Sequence, residues 1–215
     1  MRKFDFLVAL YVFGIMVANL MGGKTVHIID IGSFPLSASV ALFAIPMLFI
    51  ICDIVTEVYG KERARSIVWS GLIITLFLAA YAAFAVSLPP STRFSGMEKA
   101  YDSVFNVAIR ISLSSVTAFA CSQLLDITLF SRLRKRMGNG GLWIRANTSN
   151  IISHLVDTTV FITLAFYAFD KSAADNIAFM AGLIIPYWLL KCFVSALGTP
   201  FVYWGVRWLR SPVTD

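Results

Sequence analysis

Six runs of roughly 20 mostly apolar residues divide the chain, and short polar connections separate them. An α-helix needs a run of about this length to cross a bilayer core of roughly 30 Å. The pattern therefore predicts an all-α fold, a polytopic membrane helical bundle with six transmembrane helices in a single domain over residues 1–215. The predicted spans are about 5–22, 36–58, 66–88, 107–130, 147–169 and 177–206.

Composition supports a membrane protein. Hydrophobic residues make up 58% of the chain, charged residues 14%, and the mean hydropathy is +0.78. A soluble domain has about a quarter of its residues charged. The first run is long enough to span and follows Arg2 and Lys3, so we interpret it as a retained helix rather than a cleaved signal peptide.

The distribution of basic residues predicts the orientation. Twelve of the 18 Lys and Arg residues fall in connections on the side of the termini, five fall on the other side, and Lys191 lies within the last span. Because positive charge is retained in the cytoplasm, both termini are expected there, which an even number of spans also requires. This bias explains the net charge of +6 without a nucleic-acid partner. The three cysteines fit no zinc or disulfide spacing, and no metal or cofactor is predicted.

Several connections have distinctive patterns. Alternating apolar residues at 26–29 favour a short strand-like or interfacial segment. The stretch 61–65 is interpreted as a tight basic turn and 132–141 as a longer basic loop. Pro186 and Pro200 predict that the last span is kinked or broken.

Polar and ionisable residues interrupt four of the predicted spans. A charge inside the bilayer costs several kcal/mol, so such residues are rare unless they face a cavity or a partner. Asp53 and Glu57 are four residues apart and share a helical face, and spans 4 and 5 carry similar polar stripes. The candidate substrate-binding residues are Asp53, Glu57, Gln123, Asp126, Asn150, His154, Asp157 and Lys191. Together they suit a small polar ligand rich in hydrogen-bond donors, or protons and cations.

Structural roles remain open for three of these residues. Lys191 lies too deep to reach the interface easily and needs a counter-charge, for which the candidates are Asp53, Asp126 and Asp157. A structural ion pair explains Lys191 as well as a ligand contact does. Glu57 has the alternative of reaching interfacial water, and His154 that of a hydrogen-bonded structural residue.

Three sequence runs carry a family resemblance. They are DIVTEVYGKERAR from Asp53, SQLLD from Ser122 and RANTSNIISHLVD from Arg145, and Asn19, Lys24 and the FPLS segment at 34–37 fit the same pattern. Together they resemble the bacterial queuosine-precursor transporters, also called the vitamin uptake transporter family. The resemblance covers nearly the whole chain, and Asp-x-x-Thr-Glu-Val-Tyr-Gly is its specific signature.

The resemblance implies uptake of 7-cyano-7-deazaguanine or 7-aminomethyl-7-deazaguanine across the bacterial inner membrane, for salvage into tRNA queuosine. A guanine-like edge offers two adjacent donors to one carboxylate, and its O6 accepts from an amide or an ammonium. We therefore expect Asp157 or Asp126 to bind the donor edge, with Gln123 and Asn150 as amide partners. Asp53 and Glu57 are expected to line the cytoplasmic exit or to pair with Lys191.

Other functions need different sequence features. An intramembrane aspartyl protease contains the motif Gly-x-Gly-Asp and a rhomboid-like protease contains Gly-x-Ser-x-Gly, and the chain has neither motif. The rival interpretation is a substrate-binding membrane subunit of an energy-coupling uptake system, which needs a separate ATPase because this chain has no P-loop. Proton-driven and facilitated transport also remain open. A homodimer is possible, since Gly14, Ala18 and Gly22 form a small-residue face on span 1.

Overall fold

The computed structural model describes residues 3–22, 24–31, 34–138, 140–167 and 170–211. These residues form six long α-helices, and a two-stranded antiparallel hairpin lies between the first and second helices. The elements are α1 (Lys3–Met21), β1 (Thr25–Ile31), β2 (Phe34–Ser39), a 3-10 turn (Val40–Phe43), α2 (Ile45–Tyr59), α3 (Lys61–Ser87), α4 (Glu98–Met137), α5 (Leu142–Phe166) and α6 (Ala173–Arg210).

The helices run alternately up and down. The Lys3 Nζ donates to the Trp208 carbonyl at 2.8 Å and to the Ser211 carbonyl at 2.6 Å, which joins the start of α1 to the end of α6. We call this end of the bundle the terminal end. The opposite end carries the β-hairpin and is called the hairpin end.

Helix α2 lies at the centre of the bundle and contacts α1, α3, α4 and α6. Glycines on α6 allow its close approach, because a Cβ at Gly205 would lie 2.3 Å from Ile54 Cδ1 and one at Gly198 would lie 2.8 Å from Ile50 Cδ1. Gly14 of α1 likewise allows a close helix contact, because a Cβ there would be too close to the Met47 side chain of α2. This part of the small-residue face of α1 therefore packs within the chain, and the homodimer stays a prediction.

Polarity is distributed as a bilayer requires, with apolar side chains outside and polar ones inside. Phe77 and Tyr81 on α3 are 71% and 70% exposed, whereas Asp53, Gln123 and Asp126 are fully buried. Burying carboxylates while exposing aromatic rings is costly in water, but it is the favourable arrangement when hydrocarbon surrounds the protein.

The second span was predicted too long at its start. Residues 36–39 belong to β2, which pairs with β1 from Thr25↔Ser39 to Ile31↔Phe34, and α2 begins only at Ile45. The Ser39 hydroxyl accepts from the Ala41 N–H and caps the 3-10 turn, and Pro46 occupies the first turn of α2, where its missing N–H is tolerated. Of the two alternatives for 26–29, a strand-like or an interfacial segment, β1 confirms the strand.

Two predicted basic loops are instead parts of helices. α3 begins at Lys61, because the single residue Gly60, with φ of 87°, makes the turn from α2. The residues after Arg132 continue α4 to Met137, and Gly138 and Gly141 with positive φ make the turn into α5. Lys and Arg are good helix formers, and the basic residues at the end of α4 are also favourable near a helix C-terminus, so charge alone did not mark a loop.

The last two helices differ from the prediction in their bounds. α6 is one continuous helix that contains both Pro186 and Pro200, so the predicted break is wrong and the predicted kink stays a prediction. α5 ends at Phe166, and residue 169, where the span was predicted to end, lies outside the described residues. Within the described part of the chain, five helical segments are long and apolar enough to cross a membrane; α5, with 25 residues, is not among them.

Candidate functional site

A cavity of about 480 Å³ opens inside the bundle, in the half nearest the hairpin end. Asn19 of α1 and Ser39 at the end of β2 line its outer part, and Asp157 and Lys191 line its inner part. Its walls are otherwise mostly apolar, with aromatic side chains from α4, α5 and α6. These are Phe119, Phe161, Phe179 and Tyr187. A concave apolar site with a few polar groups is typical of small-molecule binding.

An ion pair lies at the base of this cavity. Lys191 Nζ is 2.7 Å from Asp157 Oδ2, and the Ser122 hydroxyl donates to Asp157 Oδ1 at 3.2 Å. Lys191 Nζ also lies 5.3 Å from the centre of the Tyr187 ring. Among the three candidate counter-charges of Lys191, the structure selects Asp157. The expectation that Asp53 or Glu57 pairs with Lys191 is wrong, because both are held by other groups further towards the terminal end.

Below the ion pair, two carboxylates face each other between α2 and α4. Asp53 and Asp126 are close enough to interact directly, and Asp126 also faces the hydroxyls of Ser149 and Ser153 on α5. The Asn150 amide donates to Asp53 Oδ2 at 3.2 Å and to the Ser195 hydroxyl at 3.0 Å. We call these residues the carboxylate cluster: Asp53, Asp126, Ser149, Asn150 and Ser153.

Many polar atoms in and around the carboxylate cluster lack a full hydrogen bond within the described part of the chain. They include both oxygens of Asp126, the Asn150 Oδ1 and the Ser153 hydroxyl. The amide of Gln123 and both ring nitrogens of His154 are also unsatisfied, and the imidazole lies 4.3 Å from the Phe49 ring, centre to centre. Buried polar groups normally have partners, so these atoms mark a place where water, a ligand or a proton belongs.

A third group, the arginine cluster, closes the bundle near its terminal end. Glu57 Oε2 lies 3.1 Å from Arg145 Nη2 and 3.5 Å from Arg134 Nε, and Glu57 Oε1 lies 3.5 Å from Arg210 Nη2. Arg134 donates to the Thr56 carbonyl, and Arg145 donates to the Gly138 carbonyl. One carboxylate of α2 thereby joins α4, α5 and α6.

The structure thus distributes the eight predicted residues over three levels. Asp157 and Lys191 line the cavity; Asp53, Asp126 and Asn150 form the carboxylate cluster; Glu57 joins the arginine cluster. Gln123 and His154 are buried within one helical turn of the carboxylate cluster. Sequence reasoning missed the role of the three arginines, since it counted them only as charges on one side of the membrane.

Comparison with known proteins identifies the family. The profile of the family described as "Putative vitamin uptake transporter" matches residues 39–205. The chain belongs to this family. A "Probable queuosine precursor transporter" of Bacillus subtilis (strain 168) is 30% identical over 194 residues, which cover 89% of this chain and 79% of that protein.

Two further relatives have similar names. A "Probable queuosine precursor transporter" of Haemophilus influenzae (strain ATCC 51907 / DSM 11121 / KW20 / Rd) is 28% identical over 71% of this chain and 61% of its own length. The "Queuosine precursor transporter" of Escherichia coli (strain K12) is 27% identical over 58% of this chain and 53% of its own length. No solved structure matches the chain.

Membership of the vitamin uptake transporter family explains the apolar exterior. The protein is a multi-pass protein of the bacterial inner membrane, and the names of its family and relatives describe transporters rather than enzymes. The signature run that begins at Asp53 crosses two of the three polar levels. Asp53 enters the carboxylate cluster, Glu57 enters the arginine cluster, and Gly60 makes the turn that follows.

Proposed function

We propose that this vitamin uptake transporter imports a queuosine precursor, a 7-deazaguanine such as 7-cyano-7-deazaguanine or 7-aminomethyl-7-deazaguanine. The observation that carries the proposal is the cavity with Asp157 and Lys191 at its base, in a chain similar to proteins named queuosine precursor transporters. The cavity volume of about 480 Å³ lies in the range of small-molecule sites.

The ion pair offers the two kinds of polar group that a deazaguanine needs. A carboxylate accepts from the base N1–H and 2-amino group together, and an ammonium donates to O6. Asp157 and Lys191 are 2.7 Å apart, so both lie within reach of one edge of a planar base. Asp126, Gln123 and Asn150 do not line the cavity, so we assign the donor edge to Asp157 rather than to Asp126.

Aromatic side chains around the cavity supply the apolar contacts. Phe119 on α4, Phe161 on α5 and Tyr187 on α6 come from three different helices. A flat base is favourably held against such rings, because stacking of a base on an aromatic side chain contributes about 1–3 kcal/mol. Specificity for the deazaguanine edge then rests on the ion pair.

We further propose six membrane spans with both termini in the cytoplasm. A helix of 25 residues, the length of α5, extends for about 37 Å, more than the roughly 30 Å of the hydrocarbon core. α5 packs mainly against α4 and α6, so its polar residues face protein instead of lipid. Lys3, Arg134, Arg145 and Arg210 all lie at the terminal end, which the positive-inside rule places in the cytoplasm.

In this orientation we interpret the structure as an outward-facing state. The cavity reaches the hairpin end, and the arginine cluster joins four helices on the cytoplasmic side of it. Import then requires separation of Glu57 from its arginines after the base has bound. Transporters of this size commonly expose a central site alternately by moving one part of the bundle against the other.

The test is uptake of radiolabelled 7-cyano-7-deazaguanine by liposomes that contain only this protein. We expect saturable uptake that unlabelled 7-aminomethyl-7-deazaguanine inhibits. Asp157→Asn should bind the base about ten- to a hundredfold more weakly, since it loses one or two charge-assisted hydrogen bonds. Asp170→Asn, at an exposed turn, is the matched control and should transport normally.

Two outcomes would change the proposal. Wild-type protein that is folded yet neither binds nor transports either base would overturn the substrate assignment. Binding without transport, restored by co-expression of an ATPase module, would instead support the energy-coupling subunit that the sequence also allows.

A further inference from the structure

We propose that Asp53 and Asp126 form the binding site of a proton that enters with the substrate and drives its import. This inference rests on the proposed function and names its energy source. It concerns a site separate from the cavity, because neither carboxylate lines the cavity. It begins from two fully buried carboxylates that have no positive partner among the residues that the structure describes.

The nearby cations are engaged by other acids. Lys191 pairs with Asp157, and Arg134, Arg145 and Arg210 pair with Glu57. Within the part of the chain that the structure describes, no Lys or Arg forms a salt bridge with Asp53 or Asp126. The groups that face them are neutral: the Asn150 amide donates to Asp53, and the hydroxyls of Ser149 and Ser153 lie near Asp126.

Two adjacent carboxylates without a cation are unfavourable when both are charged. Removing each charge from water costs several kcal/mol, and their mutual repulsion adds to this cost. One bound proton removes a charge and lets one carboxyl donate a hydrogen bond to the other, as the paired carboxyls of aspartic proteases do. A proton also needs no additional space between α2 and α4.

The environment can hold the pair in either charge state. Asn150 Oδ1 and the Ser153 hydroxyl lack full hydrogen bonds and are buried beside the carboxylates. The hydroxyl donates to a charged carboxylate or accepts from a protonated one, whereas the amide oxygen only accepts. Such unsatisfied groups fit a site that alternates between two protonation states better than a fixed structural pair.

Other ionisable groups surround the pair on each neighbouring helix. On α2, Cys52 and Glu57 interact electrostatically with it, and the Tyr11 hydroxyl of α1 lies beside the Cys52 thiol. On α5 and α6, His154, Asp157 and Lys191 interact with one another nearer the cavity. Because Glu57 and Asp157 are already in ion pairs, Asp53 and Asp126 are, among the buried carboxylates that the structure describes, the two left to exchange a proton.

The position of the pair links it to both ends of the transport path. On α4, Ser122, which bonds Asp157, is one turn before Asp126. On α6, Ser195, which bonds Asn150, is one turn after Lys191. On α2, Asp53 is one turn before Glu57. A shift in the position of Asp157 or Lys191 is therefore transmitted to the carboxylate pair through adjacent turns of α4 and α6. From the carboxylate pair it is transmitted to the arginine cluster through α2.

The experiment compares two kinds of transport in liposomes, with the membrane potential held at zero. Counterflow exchange of labelled 7-cyano-7-deazaguanine requires only the substrate site, whereas accumulation against a gradient requires an energy source. With one proton per substrate, an inward gradient of one pH unit should support about tenfold accumulation. A proton ionophore should abolish accumulation and leave exchange intact, and a sodium gradient should not replace the pH gradient.

Variants then locate the proton. Asp126→Asn and Asp53→Asn should lose the pH-driven accumulation while their exchange falls far less, and Glu62→Gln, with its side chain 84% exposed, is the matched control. A folded Asn variant that still accumulates about tenfold would overturn the site. If neither variant folds, proton uptake on addition of the base to the wild type in weakly buffered detergent decides the question, and its absence would overturn the inference.

The two proposals fail in different ways. Absence of both binding and exchange in the wild type would overturn the proposed function, and this inference with it. Exchange without any response to a pH gradient would overturn only the proton site. Accumulation driven by a sodium gradient would replace the proton with sodium as the coupling ion.

Discussion

Asp53 and Glu57 lie one helical turn apart on α2, yet their carboxylates belong to different polar clusters. Asp53 faces Asp126 and accepts from Asn150, whereas Glu57 lies among three arginines. Among the residues that the structure describes, Asp53 therefore has no positive partner, whereas Glu57 has three. We propose that this single turn separates the site that holds the coupling proton from the contact that closes the cytoplasmic side.

Removing Lys191 tests the ion pair at the base of the cavity. Lys191→Met leaves the Asp157 carboxylate buried without its cation, which should lower the free energy of unfolding by about 3–5 kcal/mol. The double variant Lys191→Met with Asp157→Leu should recover part of this loss, because it leaves no unpaired charge. Thermal unfolding in detergent measures both, with the exposed Lys171→Met as control. A single variant as stable as the wild type would show that the pair is not held as described.

Glu57→Gln tests the arginine cluster. The change leaves Arg134, Arg145 and Arg210 without their shared anion, and Arg145 is fully buried. We expect a loss of stability of about 3 kcal/mol and a marked loss of uptake, because Glu57 no longer holds the neighbouring helices together at the terminal end. Glu62→Gln, on an exposed side chain, should change neither property. Normal stability and uptake in Glu57→Gln would contradict the closing role.

Two glycines of α6 provide a matched test of helix packing. A Cβ at Gly205 would lie 2.3 Å from Ile54 Cδ1, whereas one at Gly182 would meet no atom within 4 Å. Gly205→Ala should destabilise the bundle by about 1–3 kcal/mol through overpacking. Gly182→Ala should be neutral, or more stable by up to about 1 kcal/mol. Partial rescue of Gly205→Ala by Ile54→Val would locate the clash, and equal melting temperatures of the two single variants would contradict it.

Reporter fusions test the six-span topology. Alkaline phosphatase, which is active only outside the cytoplasm, should be active when inserted between α3 and α4, in the exposed stretch around Ser91. Fusions after Arg136 or at the C-terminus should be inactive, while green fluorescent protein at the C-terminus should fluoresce. An active phosphatase at the C-terminus would mean that α5 does not cross the membrane or that the whole chain is inverted.

Sequence reasoning worked best for features that a single segment of the chain determines by itself. The apolar runs, the shared face of Asp53 and Glu57 and the strand-like or interfacial segment near residue 28 follow from local periodicity. The structure has a helix at each run, although only five described segments are apolar enough to span a membrane, and it has β1 near residue 28. Boundaries were less secure at residues 36–44, 61–65 and 132–137. There a single glycine or a hairpin register, and not local charge or apolarity, fixed where the helix began or ended.

The family signature could be recognised from the sequence, whereas the roles of its individual residues could not. The sequence alone determined that this is a helical membrane protein, because hydropathy and helical spacing act within each segment. Only the tertiary structure decided that Lys191 pairs with Asp157, that Glu57 forms ion pairs with three arginines and that Asp53 lies next to Asp126. Each of these contacts joins residues on different helices. Their partners depend on how the helices rotate and cross, which no spacing within one helix specifies.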